Sequence, residues 1–371
     1  MSLDAVSSLN RGVMPRLIRY VRRLLYWSLP PVILYVIFSR VDLDRLQQVF
    51  SNAEFSLIVL AISLITIVIV TAALRWHFLL RHYGCAIQPV ATSIDEYWKS
   101  LAVGVLVPGS LGSDAYRVMA LGRQKGYYLR SVFIIVLEKL AALFACAMLI
   151  AGLYPLLAPN HLPSVVANIV DTLYVIFLAG ISLAMAAIFV RRQGWVRRLA
   201  EMLNVRLEAM ARHIASLAPT SDSRLATEEV SSPSTLDLLL SAFSPAVSLP
   251  AVGLSLSIMF FSAIQSQLYF QGLGYDVPFT VNLFVTPLLF LLFTLPISFG
   301  GIGIREGAFI LLYGAFDVPA EIALAASFCS LLSILLGYAI GAGLLLISKH
   351  RLGLDSVQVE APARGNAAPE Q

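Results

Sequence analysis

The chain is short of charge: Asp, Glu, Lys and Arg make up 13% of its 371 residues, against 58% hydrophobic residues and a mean hydropathy of +0.81. A soluble domain carries roughly a quarter charged residues, so the chain reads as an integral membrane protein. Cysteine is scarce too. Cys85, Cys146 and Cys329 are scattered without pair spacing, which excludes a disulfide framework or a cysteine zinc site and leaves apolar packing as their role. Histidines are few and mostly peripheral. No hydrolase elbow, phosphate loop or metal-ligand cluster appears, and Gly300-Gly-Ile-Gly303 lacks the strand–turn–helix context of a dinucleotide fingerprint. No cofactor, metal or enzymatic activity is therefore expected. Nucleic-acid binding has no support beyond basic residues that membrane topology already explains.

What is abundant is apolar sequence in runs long enough, or nearly so, to cross a bilayer: Leu24–Phe38, Phe55–Leu74, Ser131–Tyr154, Leu173–Val190, Ala246–Ile264, Val281–Leu295 and Ile322–Ile347. Shorter stretches, Ile94–Val107 and Ile304–Phe316, flank two breaks. The predicted fold is all-α and polytopic, with about eight transmembrane crossings including two opposed broken or re-entrant hairpins. Basic residues precede the first span and recur at Arg75, Arg81, Lys99, Arg117 to Arg130, Arg191 to Arg224 and Lys349 to Arg351. The other connecting segments, such as Arg40–Glu54 and Pro155–Asp171, are poor in them. The positive-inside rule then puts both termini in the cytoplasm, in a bacterial-type inner membrane. Leu24 onward lacks a cleavage site and contains Pro30-Pro31, so it reads as a retained, kinked span and not a signal peptide.

The organisation that follows is a basic N-terminus (1–23), a first membrane half (24–190) with a broken hairpin near 94–130, and a cytoplasmic segment (191–245). A second half (246–348) carries a hairpin at 281–316 and is followed by a disordered tail (349–371). In the cytoplasmic segment, Trp195, Leu199, Leu203, Leu207, Met210 and Ile214 recur at helical spacing opposite several arginines, as expected of a helix lying on an anionic leaflet. A Ser/Thr-rich connector follows.

The two breaks are Pro108-Gly-Ser-Leu-Gly-Ser-Asp-Ala-Tyr-Arg117 and Pro296-Ile-Ser-Phe-Gly-Gly-Ile-Gly-Ile-Arg305-Glu306, sharing Pro-x-Ser-(Leu or Phe)-Gly. Irregular backbone at membrane depth persists only where protein buries it or it lines a wet cavity, and a matched pair of breaks points to a transporter's substrate site and an inverted repeat. Gly109 and Gly112 allow tight backbone, and Ser113 or Asp114 can cap a new helix whose first amides suit an anion. Asp114 and Arg117 share a helical face, so they either pair with each other or divide between substrate and neighbour. Gly300, Gly301 and Gly303 permit a close approach. Glu306 suits a positive helix end; Arg305 does not, and reaches for an anion, either a lipid phosphate or a carboxylate such as Glu138.

Glu138 and Lys139 lie inside an apolar span. Adjacent helical residues point about 100° apart, so each needs a partner elsewhere. Glu138 is either a proton-coupled carboxylate or a static partner for Arg117 or Arg305. Arg75-Trp76 and Arg81-His82 read as an interfacial girdle reached by snorkelling. Lys99, beside Trp98, reads the same way or as a headgroup attractor. Gln265 and Gln267 can hydrogen-bond between helices.

Leu74-Arg75-Trp76, the Pro108 box, Glu138-Lys139 and Leu295-Pro-Ile-Ser-Phe-Gly-Gly-Ile-Gly-Ile-Arg-Glu-Gly307 together resemble the lysylphosphatidylglycerol synthase transmembrane family, also described as flippase-like membrane domains. The resemblance spans roughly Leu24 to Ile347. In bifunctional relatives a soluble aminoacyltransferase domain follows. Here the chain ends soon after Arg351, so synthesis of lysyl-lipid by this polypeptide is not expected. Lys139 stands where an arginine is expected and Ser113 where a glycine is common, which loses a bidentate contact but keeps the charge pattern. The resemblance implies a flippase- or scramblase-like protein that takes an anionic phospholipid, or a polyprenyl-linked or hopanoid-type lipid, into an intramembrane cavity. Its partners would be membrane lipids. The alternative is a non-transporting accessory subunit presenting lipid to a separate glycosyltransferase or aminoacyltransferase.

Overall fold

In hydrocarbon every backbone N–H and C=O must be satisfied within its own segment, so an apolar chain of this kind has helices as its natural solution. The computed structural model describes residues 41–85, 89–105, 111–125, 127–157, 244–294 and 303–351, with a few positions between 35 and 39 and between 164 and 180. Among these residues there is no strand. The helices are α1 (Leu43–Ser51), α2 (Phe55–Ser63), α3 (Ile65–His82), α4 (Val90–Gly104), α5 (Leu111–Lys125), α6 (Tyr128–Leu153), α7 (Pro245–Gly272), α8 (Phe279–Thr294), α9 (Ile304–Gly314) and α10 (Ala320–Arg351). Most of the expected spans Leu24–Phe38 and Leu173–Val190, the surface helix and connector of 191–243 and the tail after Arg351 lie outside the described residues. So do Pro108, Gly109, Gly300 and Gly301.

Four helical stretches are long and apolar enough to cross a membrane: Phe55–His82, Tyr128–Leu153, Pro245–Gly272 and Ala320–Ser348. The first is α2 running into α3 through Leu64, and it reaches past the expected end at Leu74. The segment expected as a connecting loop, Arg40–Glu54, holds α1, whose N-terminus is capped by the Asp42 carboxylate accepting from the Asp44 and Arg45 N–H groups at 3.0 and 3.2 Å.

A long–short–short–long order occurs twice. The stretch α2–α3 has 28 residues, α4 and α5 have 15 each and α6 has 26; α7, α8, α9 and α10 have 28, 16, 11 and 32. At about 1.5 Å per residue the described parts of the short helices rise roughly 16–24 Å, less than a hydrocarbon core of about 30 Å. They form two hairpins, α4/α5 and α8/α9, which pack within themselves.

The hairpins start from opposite ends of the bundle. At one end the foot of α3 meets the starts of α6 and α7: the Tyr83 and Phe133 rings stand edge to face at 5.3 Å, and Leu79, Leu80, Ile134 and Val247 share a core. At the other end the Glu54 N–H donates to the Gly272 carbonyl at 2.7 Å, tying the start of α2 to the finish of α7, and the Tyr275 hydroxyl donates to the Asp317 carbonyl at 3.2 Å. Because α4/α5 hangs from the first end and α8/α9 from the second, the two quartets run in opposite senses, as an inverted repeat requires. Arg81, His82 and Arg130 lie at the first end, where α10 also finishes.

Helices that are apolar all round cannot sort themselves by an amphipathic stripe, and here small residues and buried amides set the packing. Gly337 and Gly341, four apart on α10, lie against α4. A Cβ on Gly341 would fall onto the Trp98 carbonyl oxygen, and one on Gly337 would meet Ile69 Cδ1 at 3.2 Å. The two glutamines behave as expected: Gln265 Nε2 donates to the Ala61 carbonyl at 2.9 Å, and Gln267 Oε1 accepts from Asn282 Nδ2 at 2.6 Å. Asn282 in turn accepts from the Tyr313 hydroxyl at 2.9 Å, pinning the top of α9 to α8. Asn282 is completely buried. Asn282→Leu removes a hydrogen bond from each of Gln267 and Tyr313 and is expected to cost about 1–3 kcal/mol, read as a lower unfolding temperature in detergent. A Tyr313→Phe change in the Asn282→Leu background should recover part of the loss.

Candidate functional site

Ten residues into α6, about 15 Å of helical rise from its start, Glu138 is 1% exposed. A buried carboxylate persists only if paired and hydrogen-bonded, and two arginines meet this need. Arg75 Nη2 on α3 donates to Oε1 at 2.7 Å, and Arg117 Nη1 on α5 donates to Oε2 at 2.6 Å. Arg75 Nη1 donates onward to Ser255 Oγ on α7 at 2.8 Å. Arg117 Nη2 donates to Asp114 Oδ1 at 2.6 Å, and Lys139 Nζ lies 3.2 Å from Asp114 Oδ2. The Arg117 guanidinium also sits over two rings, 4.7 Å from the Tyr97 centroid and 5.6 Å from that of Trp76, contacts that favour a desolvated cation. Four helices thus supply charge or rings, and a fifth supplies a hydroxyl.

The cluster holds three cations, Arg75, Arg117 and Lys139, against two carboxylates, Glu138 and Asp114. Among the described residues that pair in it, the cluster therefore has one more positive charge than negative. On α4, Asp95 and Lys99 project roughly opposite to Tyr97, by about 200° of helical rotation, and make a separate set. Lys99 Nζ lies 2.5 Å from Asp95 Oδ2 and 3.2 Å from Glu96 Oε1, and the Tyr116 hydroxyl donates to Glu96 Oε2 at 3.0 Å.

The second hairpin brings in Arg305, 3% exposed, with its guanidinium 5.5 Å from the Phe293 ring centroid and within electrostatic range of Glu306, Tyr338 and Tyr269. Tyr269 and Ser333 share a short hydroxyl–hydroxyl hydrogen bond. Arg117 follows Pro108 by nine residues and Arg305 follows Pro296 by nine, so the two arginines occupy equivalent places in the two halves. Tyr338 stands about 4.5 Å of helical rise from Gly341, which touches the residue next to Tyr97. Arg117 thus lies on the α4 side of the α4–α10 contact and Arg305 on the α10 side.

Several expectations change. Arg75 does not snorkel: it is 6% exposed and turned inward, because α3 continues to His82 and so carries position 75 well inside the membrane. Lys99, 7% exposed, is likewise held by its own helix's carboxylates and does not reach for headgroups. Arg81 and His82 are exposed at the helix end, as a girdle should be. Glu138 is committed to Arg75 and Arg117. Ser113 and Asp114 are not helix caps, since α5 already begins at Leu111; Ser113 Oγ instead lies 3.0 Å from Ser100 Oγ, closing the hairpin beside Gly104. Glu306 does serve the helix start, accepting from the Gly303 N–H at 2.5 Å. Gly303 has φ +82°, a left-handed conformation that explains glycine there without invoking a ligand.

No group of three or more metal-ligating side chains occurs among the described residues. Arg75 is the member of the cluster whose sequence position points elsewhere; a glutamate inside an apolar span, in need of a basic partner, is the available signal.

The sequence matches the family described as lysylphosphatidylglycerol synthase TM region over residues 25–355. No curated protein and no solved structure matches the chain. The family match supports a membrane lipid-related role. A match over this much of the chain shows that the protein belongs to the lysylphosphatidylglycerol synthase transmembrane-region family.

Proposed function

We propose that the protein binds the headgroup of an anionic phospholipid, or of a polyprenyl-linked or hopanoid-type lipid, between its two broken hairpins and passes it between the leaflets of a bacterial-type inner membrane with both termini cytoplasmic. The observation that carries this reading is the excess positive charge of the buried Arg75–Glu138–Arg117–Asp114–Lys139 cluster. A charge at membrane depth costs a few kcal/mol even on mild insertion scales and marks a pathway more often than a structural need. Guanidinium groups suit phosphate because their donors match two of its oxygens at once. Arg305, at the equivalent place in the second hairpin, gives the headgroup a second holding point. The chain carries no ATPase motif, so movement down a gradient, or coupled to an ion or partner, fits it best.

Purified protein in liposomes is expected to scramble fluorescent phosphatidylglycerol, measured as loss of leaflet protection from an external quencher. Arg305→Ala should abolish scrambling while keeping a monodisperse elution profile. Unchanged scrambling in that variant rules out its role. Lipid binding without scrambling by the wild type would favour presentation to a separate transferase.

A further inference from the structure

We infer that Asp114 is a built-in competitor for the lipid phosphate: its carboxylate fills the anion site between Arg117 and Lys139 and must be displaced by a phosphodiester headgroup. This inference rests on the headgroup-binding reading. The two carboxylates around Arg117 differ in kind. Glu138 has a 2% exposed side chain and is gripped by a second arginine, Arg75, so no ligand reaches it. The Asp114 side chain is 15% exposed and belongs to the first turn of α5, directly after the break, and the Lys139 side chain beside it is 33% exposed.

Asp114 also bridges two cations through separate oxygens, Oδ1 to Arg117 Nη2 at 2.6 Å and Oδ2 to Lys139 Nζ at 3.2 Å. The two non-ester oxygens of a phosphodiester can make the same bridge. Both groups carry one negative charge, so exchanging one for the other leaves the charge of a buried, weakly screened site unchanged. The chemistry that matches this exchange is a singly charged phosphodiester, which leaves the cluster's net charge as it is with Asp114 in place.

Calorimetric titration in nonionic detergent tests this, with dihexanoyl phosphatidylglycerol as probe and inorganic phosphate as a second arm. Asp114→Asn removes the competing charge at nearly constant shape and is expected to bind the lipid about tenfold or more tighter than wild type. Asp114→Glu should bind no tighter than wild type, and Lys139→Gln should bind more weakly. Equal or weaker binding by Asp114→Asn, with weakened binding by Lys139→Gln, overturns the competitor role and leaves the headgroup reading standing. Inorganic phosphate binding as tightly as the lipid overturns the choice of a phosphodiester. No binding by any form, together with absent scrambling, overturns both readings.

Discussion

Glu138→Ala is expected to be the most destabilising single truncation in the charged cluster, costing about 3–5 kcal/mol. The size follows from what it strands. Arg75 would keep only Ser255, and Arg117 only Asp114, so two guanidinium groups would sit at membrane depth with most of their compensation gone. Arg117→Met is gentler because each carboxylate keeps a partner, Glu138 with Arg75 and Asp114 with Lys139. Arg75→Met is gentler still, since Glu138 keeps Arg117 and no second carboxylate is affected. The expected order of unfolding temperature in detergent is therefore wild type, Arg75→Met, Arg117→Met, Glu138→Ala, from high to low. If Glu138→Ala unfolds no earlier than Arg75→Met, the carboxylate is not the centre of the cluster. The net value of the intact network is smaller than these losses, because truncation also exposes the cost of burying the survivors.

Gly341→Ala should separate α4 from α10 and lower stability by about 1–3 kcal/mol, the usual cost of overpacking. The added methyl would meet a backbone carbonyl, that of Trp98, which cannot rotate away as a side chain would. Because the same carbonyl belongs to the helix turn that carries Tyr97 against Arg117, the shift should also impair lipid movement. Gly343→Ala is the matched control. A Cβ there meets nothing within 4 Å, and replacing a helical glycine removes unfolded-state freedom, so stability should hold or rise by up to about 1 kcal/mol. Equal effects at the two positions would show that the α4–α10 contact is not tight. Thermal unfolding of both variants, run beside the liposome assay, reads stability and function separately.

Much of this was legible in the sequence because it depends on local chemistry. Pro108 and Pro296 with their glycines announce breaks between helices, and among the described residues one helix stops at Gly104 ahead of the first break and another starts at Ile304 after the second. Glu138 and Lys139, adjacent on one helix, had to find separate partners, and they did. Lys99 and Arg75 were misjudged for a common reason. A basic residue near a span's end looks the same in sequence whether it turns out to the interface or in toward a carboxylate, and the helix's true length decides which.

The sequence by itself determined the solvent, the helical fold and the short helices that flank Pro108 and Pro296. These follow from apolar content, proline, glycine and charge, and each acts within a few residues of itself. Only the tertiary structure decided that Glu138 joins Arg75 to Arg117, that Asp114 lies between Arg117 and Lys139, and that Gly341 brings α10 onto α4. Helices apolar on every side carry no periodic mark of which neighbour they face, so partner choice rests on side-chain fit and charge matching between residues far apart in the chain, such as Arg75 and Ser255, 180 positions apart.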